Sequence, residues 1–454
     1  MREIHLQQPA LTATLFDHPH CRELRKMSEV LDALPKATEL VHRDLVAGLR
    51  KPERGRRALS AEQLLRAVVL KQMRGLSYRE LAFELADSRA YRWFCRLGID
   101  GEAPDYSALQ KACKRICPET WEAINGLLVR HAAVLGIENG NKTRTDSTVI
   151  ETDIHHPTDS SLLWDTVRTL CRLMKEAKQD YGVSYKDRKR RAKRRHREIN
   201  NAKKKQAREA AYKDLIGVAD DVVCQATAVA DALVNVTPTS ILDAAKLQVL
   251  ETGLRHYATL GHQVISQTER RILRGETVPA KEKVVSIFEP HTDIIVKDNR
   301  DTQYGHKVCL TTGASGIVTA MVVSRGNPAD RAMTVEMIER HHALYGKAPR
   351  QACFDGGFAS RDNLQALKSL GVEDVAFAKR VGMTVSEMVK SSWVYQRLRN
   401  FRAGVEGIIS FLKRSFGLDR CRWSGFRSFC GYVHASVVSC NLLLLARHLL
   451  LRRT

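Results

Sequence analysis

TRTDSTVIETDI (Thr143–Ile154) is the segment on which the fold turns. Its Thr, Val and Ile residues pack well on a half-buried pleated surface, so it reads as a β-strand. Asp146 sits inside that strand, where a charged side chain needs a reason. Upstream the pattern is helical. Ser60 with Gln63, and Ser77 with Glu80, form two capping-box signatures, each ahead of apolar residues at helical spacing. In SAEQLLRAVVLKQMRGLSYRELAFELADSRAYRWFCRLG, Gly75 separates two helices and Gly98 follows a third, with Arg66, Lys71, Arg74, Arg79, Arg89, Arg92 and Arg96 spread along them. That spacing suits a helix-turn-helix DNA reader and an ordinary helical bundle with basic outer faces equally.

Past Pro157 the chain turns helical again. Leu163, Val167, Leu170 and Met174, then Leu247, Leu250, Leu254 and Tyr257, recur at the helical period. Between them, KDRKRRAKRRHREINNAKKKQAR (Lys186–Arg208) sets thirteen Lys/Arg against only Asp187 and Glu198. Such a block is a solvated face, a flexible linker or a phosphate-contacting surface that reads no base sequence. Lys186, Arg190, Arg191, Arg194 and Arg195 are its candidates for DNA contact. Strand patterns return in KVVSIFEPHTDIIVKD (283–298), in YGHKVCLTTGASGIVTAMVVSRGNPAD (304–330) and in RQACFDGGFAS (350–360). Helices are expected over Thr334–Leu344 and Asp362–Leu370, then a short strand in VEDVAFAKR (372–380) and a last long helix. Strands followed by strand-helix alternation predict an α/β protein whose mixed sheet is interrupted, after its first strand, by a long helical insertion. The expected division is a helical N-terminal domain over 1–136, the first part of the α/β domain over 137–157, the basic insertion over 158–280, and the rest of the α/β domain with C-terminal helices over 281–454.

The charge balance narrows the partner. Across 454 residues, 73 Lys and Arg oppose 51 Asp and Glu, a net charge of +22. That excess is too one-sided for a protein whose main ligand is small and neutral, and it points to nucleic acid. Eleven scattered cysteines with no C-x-x-C pair indicate neither a disulfide framework nor a zinc knuckle, and fit buried thiols in a reducing cytosol. MREIHLQQPALTATLFDHPH at the start lacks the pattern of a secretory signal. The apolar run NLLLLARHLLLRRT is interrupted by Arg447 and His448 and reads as too short for a bilayer, so no membrane role is expected.

Two further carboxylates belong with Asp146. Asp355 ends the apolar strand QACF and precedes Gly356 and Gly357, at a strand end where ligands of α/β sheets are usually bound. In NFRAGVEGIISFLKRSFG (400–417), Arg402, Glu406 and Lys413 fall within an arc of roughly 40° on a helix, beside an apolar face of Phe401, Val405, Ile408 and Leu412. Read alone, Arg402–Glu406 is a surface i,i+4 pair. Read with the two aspartates, it completes a set of hard oxygen ligands suited to Mg²⁺ with positions left open for phosphate. Two such ions can support in-line phosphoryl displacement on a nucleic acid strand.

These residues resemble the bacterial insertion-sequence transposases of the DDE type. One subset of that family carries its third acid in a signature written Y-(2)-R-(3)-E-(6)-K, and Arg402, Glu406 and Lys413 match its last three members. TDSTVIET and FDGGFAS are similar to the contexts of the first and second family aspartates, and IHHPTDSSLLWD and GNPAD look like the insertion-sequence group called ISNCY. LSYRELAFELADSRAYRWF is similar to the helical N-terminal DNA-binding domain of such proteins. The resemblance implies an RNase H-like catalytic domain with Asp146, Asp355 and Glu406 as catalytic metal ligands for Mg²⁺, with Mn²⁺ as the alternative. It implies Arg402 and Lys413 on the transposon end. The partners would be double-stranded DNA, as inverted-repeat ends and as target, and further copies of the chain in a dimer or larger assembly, in the bacterial cytoplasm at the nucleoid. One departure stands out: the signature tyrosine position is Arg399, with Tyr395 one turn earlier. Arg399 can still bind phosphate.

Other residues carry plainer expectations. His155 and His156 are adjacent on extended chain, point to opposite faces and do not serve one ion together. Asp330 suits a helix cap, and Glu373 and Glu387 lack the accompanying Arg and Lys of a third acid. Trp423 packs in the core or stacks on a base. Two rival functions remain open at this point, a DNA-binding protein without catalysis and an RNase H-like nuclease that cuts without joining.

Overall fold

The computed structural model describes residues 17–50, 58–98, 101–296 and 301–452. The first sixteen residues, which hold most of the N-terminal stretch read above for a secretory signal, lie outside them. The chain forms two compact units, one made of Met1–Asp153 with His306–Thr454 and the other of Ile154–Gly305.

The first unit begins with seven helices: α1 (Pro19–Asp32), α2 (Pro35–Val46), α3 (Ala61–Arg74), α4 (Tyr78–Asp87), α5 (Arg89–Phe94), α6 (Tyr106–Cys113) and α7 (Pro118–Val134). Both expected capping boxes form, Ser60 with Gln63 on α3 and Ser77 with Glu80 on α4, each satisfying two otherwise free backbone N–H groups. Gly75 closes α3 at φ 64°, a left-handed conformation in which glycine has no Cβ to clash. The strand β1 (Lys142–Thr152) follows.

The second unit is a helical bundle of α8 (Asp159–Tyr181), α9 (Lys189–Asn201), α10 (Lys205–Val234) and α11 (Ile241–Thr268) with its own core. Leu163, Val167, Leu170 and Met174 are fully buried in that core, as their period requires. The short strand β2 (Asp293–Ile295) pairs antiparallel with Gln303–Gly305. The strand expected over 283–298 is therefore confined to its end. Val284 and Ile287 are buried without strand geometry because they pack on the bundle core.

The chain re-enters the first unit along β3 (Gln303–Thr312) and continues through β4 (Val318–Val323), α12 (Asp330–Tyr345), β5 (Gln351–Phe354), α13 (Arg361–Ser369) and β6 (Asp374–Phe377). It ends with α14 (Val385–Met388), α15 (Ser392–Arg402), α16 (Gly404–Phe416), β7 (Arg420–Cys421) and α17 (Phe426–Leu451). The sheet runs β2-β3-β1-β5-β6, with β4 on β3 and β7 on β1. β1, β5 and β6 are parallel and β3 and β4 antiparallel, so the sheet is mixed. The architecture is α/β and RNase H-like, with a helical N-terminal region and a helical insertion after the first strand.

Side chains alternate across β3 and supply two cores. Val308 and Leu310 face a cluster shared with α1–α7 and α17, while Cys309 faces the cluster that includes Met337, Phe354 and Phe377. Asn441 of α17 donates to the Val318 carbonyl at 2.8 Å and to Asn125 Oδ1 at 2.7 Å, which ties α7, β4 and α17 together. The apolar C-terminal run belongs to a helix of 26 residues, long and apolar enough by composition to cross a membrane, with 89% of its most apolar window buried inside the protein. Its length exceeds the sequence-based expectation; it is packing that makes it a core helix. All eleven cysteines are free thiols, most of them buried.

Candidate active site

The pairing register of β1 with β5 builds the centre of the site. Thr145 lies opposite Phe354, so the next residue of each parallel strand, Asp146 and Asp355, falls on neighbouring strands roughly 4.8 Å apart in the pairing direction. Glu406 arrives from the first turn of α16. The three carboxylates meet at one guanidinium. Arg402 Nη1 stands 3.5 Å from Asp146 Oδ2 and 3.5 Å from Asp355 Oδ1, and its Nη2 donates to Glu406 Oε1 at 3.0 Å.

The expected last long helix is two helices meeting at Ala403. Ala403 keeps right-handed helical angles (φ −54°, ψ −26°), so the i,i+4 relation of Arg402 to Glu406 survives the break. The junction is held by a residue that sequence reading missed. Arg144, two positions before Asp146 and so on the same face of β1, donates from Nη1 to the Phe401 carbonyl at 3.0 Å and from Nε to Thr312 Oγ1 at 2.9 Å. Its guanidinium lies 4.6 Å from the Phe401 ring centroid. A Cβ on Gly404 would stand 1.8 Å from Arg144 Nη1, so only glycine admits this approach. The signal available in sequence was the i,i+2 alternation of Arg144 with Asp146.

A second support reaches Asp146 from below. The Ser147 backbone N–H donates to Asp146 Oδ1 at 2.7 Å, and the Ser147 hydroxyl donates to Asp330 Oδ1 at 3.0 Å. Buried Lys307 pairs with the same Asp330 oxygen at 3.0 Å and donates to the Pro328 carbonyl at 2.7 Å. Asp330 thus opens α12 without a side-chain cap bond and instead joins α12 to β1 and β3.

Burial, with the negative charges of Asp355 and Glu406 adding to it, pushes the Asp146 carboxyl up to about 6 against the opposing pull of the Ser147 N–H and Arg402. The folded state therefore holds the Asp146 proton more tightly than the unfolded state, whose value is near 3.8. Stability gained from that proton is complete below the unfolded value and is lost as pH rises to about 6. Asp146→Asn is expected to unfold at higher urea than the parent at pH 7.5 without divalent cations, by on the order of 2 kcal/mol, with the gap closing towards pH 4. Equal midpoints across that range would show that Asp146 is not held in a charge-averse environment.

The remaining expected residues are placed as follows. Lys413, two turns beyond Glu406, stands 3.8 Å from Asp419. Arg399 is exposed, 6.0 Å from the ring of Tyr395, which is itself buried and donates to the Phe377 carbonyl at 2.9 Å. Tyr395 is therefore a core residue and no replacement for a surface tyrosine. In the second unit Lys186 and Arg190 are exposed, Arg191 and Arg195 share Asp214 of α10, and Arg194 pairs loosely with Glu198 at 3.8 Å. His155 pairs with Asp165 at 3.3 Å, and His156 meets the Tyr304 ring edge-on. Glu373 pairs with Arg350, Glu387 caps α14, and Trp423 packs against Tyr78 and Tyr432.

A cation already stands among three carboxylates, and three negative charges against one positive leave a donor set suited to divalent metal. Among the described residues no three acids, histidines or cysteines lie close enough together to hold an ion with side chains as they stand. Were these acids to hold an ion, Asp146, Asp355 and Glu406 would have to part from Arg402. Glu406, 61% exposed, has the room for it.

Asp146 and Asp355 at neighbouring strand positions and Glu406 on α16 thus bring three hard carboxylates together on an RNase H-like sheet. The comparisons add the family: residues 14–115 match the Transposase domain (DUF772) family and residues 290–442 match the Transposase DDE domain family. The chain carries the domains of an insertion-sequence DDE transposase. The second match spans Asp355, Arg402, Glu406 and Lys413 but not Asp146, which the β1–β5 register brings to them. No curated protein and no solved structure matches the chain.

Proposed function

We propose that this chain is an active transposase that binds the inverted-repeat ends of its element, cleaves the 3′ strand at each end and transfers it to target DNA, acting as a dimer or larger assembly in the bacterial cytoplasm. The observation that carries the reading is the convergence of Asp146, Asp355 and Glu406, from three distant segments, on a single guanidinium. These acids would hold Mg²⁺, or Mn²⁺ in its place. When bound, the ions supply activation of the attacking oxygen and neutralisation of the leaving one. The chain itself supplies position. Arg144 and Ser147 fix the backbone on either side of Asp146, and Arg402, once released from the acids, is a guanidinium beside the reacting phosphate. Arg399 and Lys413 extend that positive stripe along the DNA end. The helical region over 1–136 binds the inverted-repeat ends, and the exposed Lys186 and Arg190 of the insertion, with Arg191, Arg194 and Arg195, add contacts that hold duplex DNA without reading bases.

A strand-transfer assay in Mg²⁺ comparing Glu406→Ala with the parent tests the reading. Loss of joined product with DNA affinity retained is expected. Equal joining by both would leave a DNA-binding protein whose chemistry lies elsewhere, and cleavage without joining in the parent would make it a nuclease.

A further inference from the structure

A basic cleft of about 760 Å³ lies in the first unit, between the last turn of α3 and the turn from α16 to β7. Six cations line it: Lys71, Arg74, Lys413, Arg414, Arg420 and Arg422, with Asp419 as the one acidic lining residue. Cations at helix C-termini can simply answer the helix dipole, so the balance of charge decides. Two helix ends contribute roughly half a negative charge each. With Asp419, with Glu151, which pairs with Arg420 at 2.6 Å, and with Glu80, whose charge acts on Lys71 and Arg422, they amount to roughly four negative charges against six positive ones. An excess of about two remains, more than the helices need.

Lys71 singles the cleft out as a built site. It is 6% exposed, yet among the described residues its ammonium forms no ion pair, Glu80 being near enough only for its charge to be felt. It is held 4.9 Å from the ring centroid of Tyr78 and 5.8 Å from that of Trp423, rings that stack on each other. The rings offset part of the cost of burying the charge. The ammonium opens onto the cleft, where its three N–H donors are left to water or to an anion. Burial also draws the ammonium's proton affinity down. Arg74 and Arg422 are likewise without a carboxylate partner among the described residues.

The cleft is aligned with the three acids. Lys413 follows Glu406 by two turns on the same face of α16, about 10 Å along the helix, which equals the axial rise of about three nucleotides of duplex DNA. We propose that this cleft seats consecutive backbone phosphates of the DNA strand leaving the three-acid site, with Lys71 as its buried anchor, so that the N-terminal helices and the α/β domain grip one strand together. This rests on the transposase reading for the identity of the polyanion.

The test is fluorescence anisotropy of a labelled duplex over a salt series with the full-length chain. Every phosphate that the protein ceases to neutralise takes about 0.9 off the slope of log K against log salt. Lys71→Met keeps the stem packed on Tyr78 and Trp423. It is expected to lower the slope by about one while leaving the urea midpoint of the free protein unchanged or higher. Arg74→Gln combined with Arg422→Gln is expected to lower the slope by nearly two and to weaken binding about tenfold. Unchanged slopes in both variants overturn the proposal, and so does a Lys71→Met effect accompanied by a fall in the midpoint of the free protein and absent from the arginine pair. Asp355→Asn, measured beside them, separates the two readings: cleavage lost there with cleft slopes intact fails the cleft alone, and cleavage retained there with cleft slopes reduced fails the catalytic reading alone.

Discussion

Asp355→Asn is expected to lower the rate of Mg²⁺-dependent strand cleavage by at least about a thousandfold, roughly 4 kcal/mol of barrier, while duplex affinity stays within about twofold of the parent. The substitution keeps the shape of the side chain and removes one of the carboxylates gathered at Arg402. Because Asp355 is about half exposed at a strand end, its loss costs the fold little. The effect lands on chemistry instead: an amide oxygen binds a hard divalent cation far less well than a carboxylate does. A fall of less than about tenfold in cleavage rate would place the reacting phosphate elsewhere on the protein.

Arg66→Ala is expected to destabilise the first unit by about 2–3 kcal/mol, read as a fall in urea midpoint, because it strips a buried network of its hub. Arg66 is 1% exposed. Its guanidinium donates to Asp32 at 2.6 Å, Ser28 Oγ at 2.9 Å, Glu62 at 3.0 Å and the Phe94 carbonyl at 3.2 Å, joining α1, α3 and α5. Partial exposure of Asp32 and its second partner Arg96 limit the loss. A surface arginine that contacts DNA would show the opposite result, weaker DNA binding at constant stability.

The pair Arg66 and Lys71 shows how far the basic helices can be read from sequence. Seven cations in one helical stretch suit a DNA reader and a helical bundle with basic outer faces equally. In the fold Arg66 holds three helices together, Arg92 donates to the carbonyls of Leu85 and Gly101, and Arg96 pairs with Asp32. Arg74, Arg79 and Arg89 are left facing outwards. Charge is written in the sequence, but whether a charge is spent inside the fold depends on partners tens of residues away.

What the sequence by itself determined is local: two capping boxes, the stop at Gly75, the buried stripe of α8, the basic block of the insertion and the four-residue relation of Arg402 to Glu406. Each rests on backbone and side-chain groups within about four residues of one another, so neighbours suffice to specify them. Tertiary structure alone decided the register that sets Asp146 beside Asp355, the clamp of Arg144 on the Phe401 carbonyl, the break at Ala403 and the burial of Tyr395, Trp423 and Lys71. Those features depend on which strand face meets which helix across hundreds of residues, and such meetings follow from burying the whole apolar surface at once rather than from any one segment.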